Sequence, residues 1–216
     1  MPLAFDVIHE DREVLIVDKP SGLPTMPGGG FFAHTLLSLV RQRDAEWTAL
    51  HRLGRGTSGL VAFARTHDAR ARLQAAFRAR SLEKRYLALA QGQLTAPQTI
   101  ALPIGPVAHP RLGTLHAVHP EGKPSETEVE AAEPRGTNTL VQIRIHSGRP
   151  HQIRIHLAAV NHPLVGDPLY GPGGLPLADA LPGDGGYHLH AWRLAFDHPT
   201  TGARLRLEAP RPEALR

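Results

Sequence analysis

Residues 139–160, TLVQIRIHSGRPHQIRIHLAAV, change hydrophobic period partway along, and that change decides the fold class. Through residue 146 the chain alternates strictly. Val141, Ile143 and Ile145 fall on one side and Gln142, Arg144 and His146 on the other, the pattern of a half-buried strand. Ser147-Gly148 then makes a turn, and Pro150 suits the first position of a helix. Ile153, Leu157 and Val160 follow at i, i+4 and i+7, one apolar helical stripe, which Pro163 and Gly166 end.

Outward from this pair the same two periods recur. Residues 85–90 (RYLALA), 59–64 (GLVAFA) and 13–18 (EVLIVD) are short apolar runs read as strands, the last ending at Lys19-Pro20. A Pro and Gly loop at 24–30 leads into a helix predicted over 31–42, with Leu36, Leu39 and Val40 on one face. Thr66 is placed to cap a second helix over about 67–79, with Leu73 and Phe77 inward and Arg70, Arg72, Arg78 and Arg80 largely outward. That outer arginine set suits contact with a phosphate backbone. Strands outnumber helices and the links are irregular, so the class is α+β with a mainly antiparallel or mixed sheet.

Composition narrows the function. The 216 residues suffice for one sizeable core, and no polar low-complexity linker calls for a second, so a single domain over 1–216 is expected. No apolar run approaches a membrane span and the amino terminus has no secretion signal, which gives a cytoplasmic expectation. With no cysteine, disulfides, thiolate nucleophiles and cysteine-ligated zinc are excluded. The net charge is +4, and 21 of the 24 basic residues are arginines. Guanidinium forks bind phosphate oxygens in pairs and stack on bases, which fits an RNA partner, and a genome-wide preference for arginine over lysine explains the count equally well.

Several separate stretches carry a resemblance. Residues 51–60, HRLGRGTSGL, resemble the HRLDxxTSGL signature of RluA-type RNA pseudouridine synthases. FDVIHEDREVLIVDKPSGLPTMPGG at 5–29 is similar to that family's opening strand and its Lys-Pro and Gly turn, and LEKRYLALAQGQL at 82–94 to its tyrosine-bearing strand. SGRPHQIRIHLAAVNHPLVGDPLYG at 147–171 is similar to its GRxHQIRxHL segment, and LHAWRLAFDHPTTG at 189–202 closes the series in the same order. The resemblance implies the pseudouridine synthase fold, a long bent mixed sheet with flanking helices and a central cleft, and a catalytic-type domain with no extra RNA-binding module. It also implies a monomer that needs no cofactor and isomerises uridine in ribosomal or transfer RNA.

By the same resemblance, Tyr86 matches the tyrosine that stacks on the target base and serves proton transfer at C5, and Arg154 matches the arginine paired with the catalytic carboxylate. Arg52 matches the arginine that contacts RNA near the flipped nucleotide. Further RNA contacts are expected along the two motif segments, at Arg55, Thr57 and Ser58 and at Arg149, His151 and Gln152. The nucleophilic aspartate falls on Gly54, which has no side chain to attack or to take a proton. Three readings of the glycine stay open. A carboxylate from elsewhere takes its place, with Asp18, Asp44, Glu46, Asp68 and Asp167 as nominees and Asp167 foremost despite suiting an ordinary turn before Pro168; the protein binds RNA without isomerising it; or it belongs to a subgroup with different chemistry.

Other classes fit less well. Gly56-Thr57-Ser58-Gly59 has Leu60 where a hydrolase nucleophile elbow needs glycine. The pair His188 and His190, with His146, His151 and His156, forms no recognised ligand spacing, so no metal site is expected. Residues 27–30, PGGG, lack the Gly-Lys-Ser/Thr ending of a phosphate loop.

Overall fold

The computed structural model describes residues 4–28, 33–180 and 185–216. In chain order the elements are β1 Asp6–Glu10, β2 Val14–Lys19, α1 Leu36–Arg43, β3 Thr48–Ala49, β4 Ser58–Ala64, α2 His67–Ala79, β5 Glu83–Gln91 and β6 Gln98–Ala101. There follow β7 Ile104–His109, β8 Gly113–Val118, β9 Glu126–Arg135, β10 Asn138–Ile145, α3 Gln152–Ala159, β11 Leu189–Asp197 and β12 Arg204–Glu208. Two compact units divide the chain: Met1–Lys84 with Ala191–Arg211, and Arg85–His190 with Pro212–Arg216.

In the first unit the strand order is β1-β2-β4-β11, with β12 on β11 and β3 on β4. Val14, Leu15, Ile16 and Val17 of β2 are all fully buried, which explains why that run is continuously apolar and not alternating. Thr66 Oγ1 accepts the Ala69 amide at 3.2 Å, so α2 starts where the cap residue predicts. Its inner residues Ala69 and Leu73 pack on Ile16, Leu60, Ala62 and Phe196, with Phe77 at the edge of the same core. The first helix is shorter than its apolar spacing predicts. Thr35 Oγ1 takes the Ser38 amide at 3.2 Å and sets the start at Leu36, while positions 31 and 32 lie outside the described residues. Gly59 has φ +106, and a Cβ there would stand 2.3 Å from the Ala191 carbonyl oxygen. Glycine ends the TSG turn because the β11 backbone leaves no room for any other residue.

In the second unit β5, β10, β9 and β6 pair antiparallel in that order, and β7 with β8 forms a separate two-stranded ribbon. Val141, Ile143 and Ile145 are buried as the alternation requires, and Ile143 stands between Tyr86 and Val129 in the register. The helix expected to open at Pro150 begins later. His151 adopts φ 56, the left-handed region, so the helix opens at Gln152 and Pro150 lies before it. Every residue from Gln152 to Ala158 is buried, polar ones included, which makes α3 a core helix and not an amphipathic surface one. Of the remaining strands, β6 to β8 carry too weak an alternation to be read from sequence, whereas β12 alternates strictly as Arg204-Leu205-Arg206-Leu207-Glu208.

Candidate active site

In the first unit the motif loop at residues 51–57 is sewn to the loop at residues 19–25. Lys19, fully buried, donates from Nζ to the carbonyls of Pro20 at 2.9 Å, Leu23 at 2.8 Å and Arg55 at 3.2 Å. The Gly22 amide reaches the same Arg55 carbonyl at 2.8 Å, and Ser21 Oγ reaches that of Gly56 at 2.7 Å. Thr25 Oγ1 both donates to the Leu53 carbonyl at 2.9 Å and accepts the Leu53 amide at 3.2 Å. Buried backbone groups that would otherwise lack partners are thereby satisfied. The KPSGLPT segment is therefore the cradle of the motif. The resemblance points to the segment, but the anchoring roles of Lys19, Ser21 and Thr25 emerge only from the geometry.

His51 completes the anchoring. Its Nε2 accepts the Ala62 amide at 3.1 Å, and its ring lies 5.2 Å from that of Phe77 on α2. Burial, with the Lys84 charge nearby, pushes the imidazole down to about 4. It is neutral at pH 7, and its acceptor role places the proton on Nδ1. Beyond it, Arg52 is exposed, Arg55 half-buried, Thr57 buried and Ser58 half-buried. Gly54 is half-buried and its carbonyl accepts the Thr57 amide at 3.1 Å, closing a tight turn. Gly54 is not among the glycines with positive φ, so its backbone conformation is not one that only glycine takes freely.

In the second unit Tyr86 stands on β5 with 9% of its surface exposed, and burial pushes its phenol up to about 12. Arg154, on α3 and 1% exposed, forms a two-pronged pair with Asp167, Nε to Oδ2 at 2.7 Å and Nη2 to Oδ1 at 2.8 Å. Two aromatic faces cover the guanidinium, Tyr187 at 4.2 Å and Tyr170 at 5.1 Å. Asp167 Oδ1 also accepts the amides of Leu169 at 2.9 Å and Tyr170 at 3.1 Å, so the residue is at once a turn former and the counter-ion of Arg154.

The rest of the segment is similarly engaged. Gln152, 3% exposed, takes Ser147 Oγ at 2.7 Å and the Arg149 amide at 3.2 Å on its oxygen, and donates to the Glu126 carbonyl at 2.7 Å and Thr127 Oγ1 at 3.2 Å. His151 Nδ1 lies 3.0 Å from the Tyr170 hydroxyl, which donates to the His116 carbonyl at 2.8 Å. Arg149 is half-buried, and its Nε is buried with no hydrogen-bond partner among the described residues.

The other carboxylate nominees are dispersed. Asp44 pairs with Arg65 at 2.6 Å, while Glu46 and Asp68 are exposed. Asp18 is half-buried on β2, where burial and Asp6 across the strand pair push it up to about 6 against the pull of Lys19 and the Gly59 amide. For a metal, Glu126, Glu128 and His146 bring donor atoms within 4.8 Å of one another. His146 is already bonded to Glu128 at 2.9 Å, and Arg144 approaches the same carboxylate at 3.6 Å, the arrangement of a surface ion-pair cluster. His156 is held by Thr127 at 2.8 Å and the Leu102 carbonyl at 3.0 Å.

The sequence profile of the RNA pseudouridylate synthase family matches residues 13–159. An uncharacterized RNA pseudouridine synthase of Synechocystis sp. is 40% identical over 221 residues, covering 100% of this chain and 76% of the relative. The ribosomal large subunit pseudouridine synthase D of Vibrio parahaemolyticus is 35% identical, covering 99% of this chain and 69% of its own. The solved structure of human RNA pseudouridylate synthase domain containing 1 is similar with a TM-score of 0.76 and 26% identity, over 100% of this chain and 88% of that one. With the profile matching well over half of the chain and these relatives matching nearly all of it, the chain belongs to the RNA pseudouridylate synthase family.

Proposed function

We propose that this protein isomerises uridine to pseudouridine in ribosomal or transfer RNA, as a cytoplasmic monomer that uses no cofactor. The observation that carries the reading is the family match, which spans both motif segments and includes Tyr86 and Arg154. The likeness to the Vibrio relative, a ribosomal large subunit synthase, favours ribosomal RNA over transfer RNA. No helix among the described residues is long and apolar enough to cross a membrane.

The reaction breaks the N1 to C1′ bond, turns the base while it stays bound, and joins C5 to C1′. One proton leaves C5 and one arrives at N1, so nothing is consumed. The nucleotide must leave its stack, which makes a flat ring such as Tyr86 useful as a platform. With its phenol raised to about 12, Tyr86 is protonated at neutral pH and enters as a neutral ring and hydrogen-bond donor, not as a phenolate. Arg154, bound and stacked deep in its unit, serves as a fixed element with Asp167 as its lasting counter-ion. The attack on the sugar, or its deprotonation, falls to a group other than residue 54.

Chemical mapping of pseudouridine in ribosomal and transfer RNA, from cells with and without this protein, tests the reading. A uridine left unmodified only in its absence, and restored by the gene, supports it. Identical maps together with RNA binding by the purified protein would replace it with a non-catalytic RNA-binding role.

A further inference from the structure

The ring of His51 against Phe77, at 5.2 Å, brings the motif loop to the last turn of α2. Four cations belong to this corner of the first unit. Arg52 follows His51 in the loop, Arg78 lies in the last turn of the helix, Arg80 caps it, and Lys84 lies at the start of β5. The three arginines are exposed, and Lys84 is half-buried. Like charges crowd here: burial and then the charge of Arg80 hold the Lys84 ammonium below its usual range, and Lys84 in turn lowers His51.

Neutralising groups are directed elsewhere. Among the described residues no carboxylate pairs with any of the four, although Glu83 is the direct neighbour of Lys84 in sequence. Glu83 turns away to Arg204 at 2.7 Å, and other arginines of the unit have their own acids, Arg43 with Glu10 at 2.8 Å and Arg65 with Asp44 at 2.6 Å. The backbone of Arg80 is the second observation. It sits at φ 57 as the C-cap of α2, a left-handed conformation that glycine takes freely and other residues rarely adopt. An arginine there sets its charge where the fold alone favours glycine.

We propose that Arg52, Arg78, Arg80 and Lys84 form one track that holds successive phosphates of the RNA backbone beside the motif loop. The inference rests on the RNA-directed function given above and assigns its electrostatic contact surface. A polyanion relieves the crowding that the free protein tolerates, and each phosphate neutralised releases counterions, which makes the contact readable through salt.

The test is fluorescence polarisation of a labelled RNA stem–loop across a potassium chloride titration, with melting temperatures measured alongside. Arg80→Gly is expected to weaken binding about three- to tenfold and to lower the slope of log affinity against log salt by about 1, while the melting temperature holds or rises because glycine suits the cap. Arg78→Gln with Lys84→Gln is expected to lower the slope by about 2. Arg12→Gln, an exposed arginine outside the track, is expected to leave both unchanged. Wild-type affinity and slope in Arg80→Gly and in the double variant would overturn the track alone. A wild-type protein with no affinity for RNA would overturn the functional reading with it.

Discussion

Arg154 and Asp167 meet through two parallel hydrogen bonds of 2.7 and 2.8 Å with both side chains 1% exposed, so the arginine in the segment that resembles GRxHQIRxHL has a carboxylate partner within the second unit. Removing one member of a buried pair leaves the other charge desolvated. Asp167→Asn is therefore expected to lower stability by about 3 kcal/mol or more, read as a drop in the urea midpoint. A fully stable Asp167→Asn protein that has lost all activity would instead make Asp167 a reacting group.

Lys19 gives a second stability test, since its ammonium serves three carbonyls that shape the motif loop. Lys19→Met keeps the volume and strands those carbonyls, and the expected cost is about 2–4 kcal/mol with faster proteolysis within residues 19–57. An unchanged urea midpoint and digestion pattern would show that the cradle does not depend on this charge.

Acid should act on His51. Its folded value of about 4 lies below the ordinary 6.5, so the unfolded chain binds the proton first and stability falls as pH drops from about 6.5 to about 4. The full loss is at most about 3 kcal/mol. His51→Gln, which can still accept the Ala62 amide but does not titrate, should lose that part of the slope in urea unfolding at stepped pH. Wild-type pH dependence in the variant would remove His51 from the account.

Asp18 works in the opposite sense. Its carboxyl is raised from 3.8 to about 6 in the fold, so ionisation above pH 6 costs stability and the cost vanishes as pH falls toward 3.8. Asp18→Asn, with an oxygen still available to the Gly59 amide, should stabilise by roughly 1–2 kcal/mol at pH 7 and by almost nothing at about pH 3. Equal effects at both pH values would show that packing, not charge, governs the site.

Much of the fold is legible in the amino-acid order. The Thr66 cap marks the start of α2, the alternation at 139–146 marks β10, and the fully apolar run at residues 14–17 marks a strand buried on both faces. The misplaced helix start at Pro150 has a local cause, since His151 takes the left-handed region just before Gln152, a conformation that the spacing of apolar residues does not reveal. Lys19 reads as the lysine of a turn because sequence does not show which carbonyls close around an ammonium. Asp167 carries both a turn and a buried partner, and spacing to Pro168 reveals only the first. Gln152 reads as a possible RNA contact because polar residues in a motif suggest ligands, while in the fold its hydrogen-bonding positions are filled from within the chain.

The most direct test of the central claim is tritium release from 5-tritiated uridine in bulk ribosomal and transfer RNA taken from a strain lacking the protein, with wild type and Gly54→Asp side by side. Position 54 has no left-handed φ to penalise a side chain, and the substitution supplies the carboxylate of the HRLDxxTSGL signature that residues 51–60 resemble. The account predicts release by wild type, raised about tenfold or more by Gly54→Asp, since loss of a nucleophile ordinarily costs several orders of magnitude. Wild-type protein that is folded and binds RNA yet releases no tritium would contradict it, and release confined to the variant would leave a pseudouridine synthase scaffold that holds RNA without the chemistry.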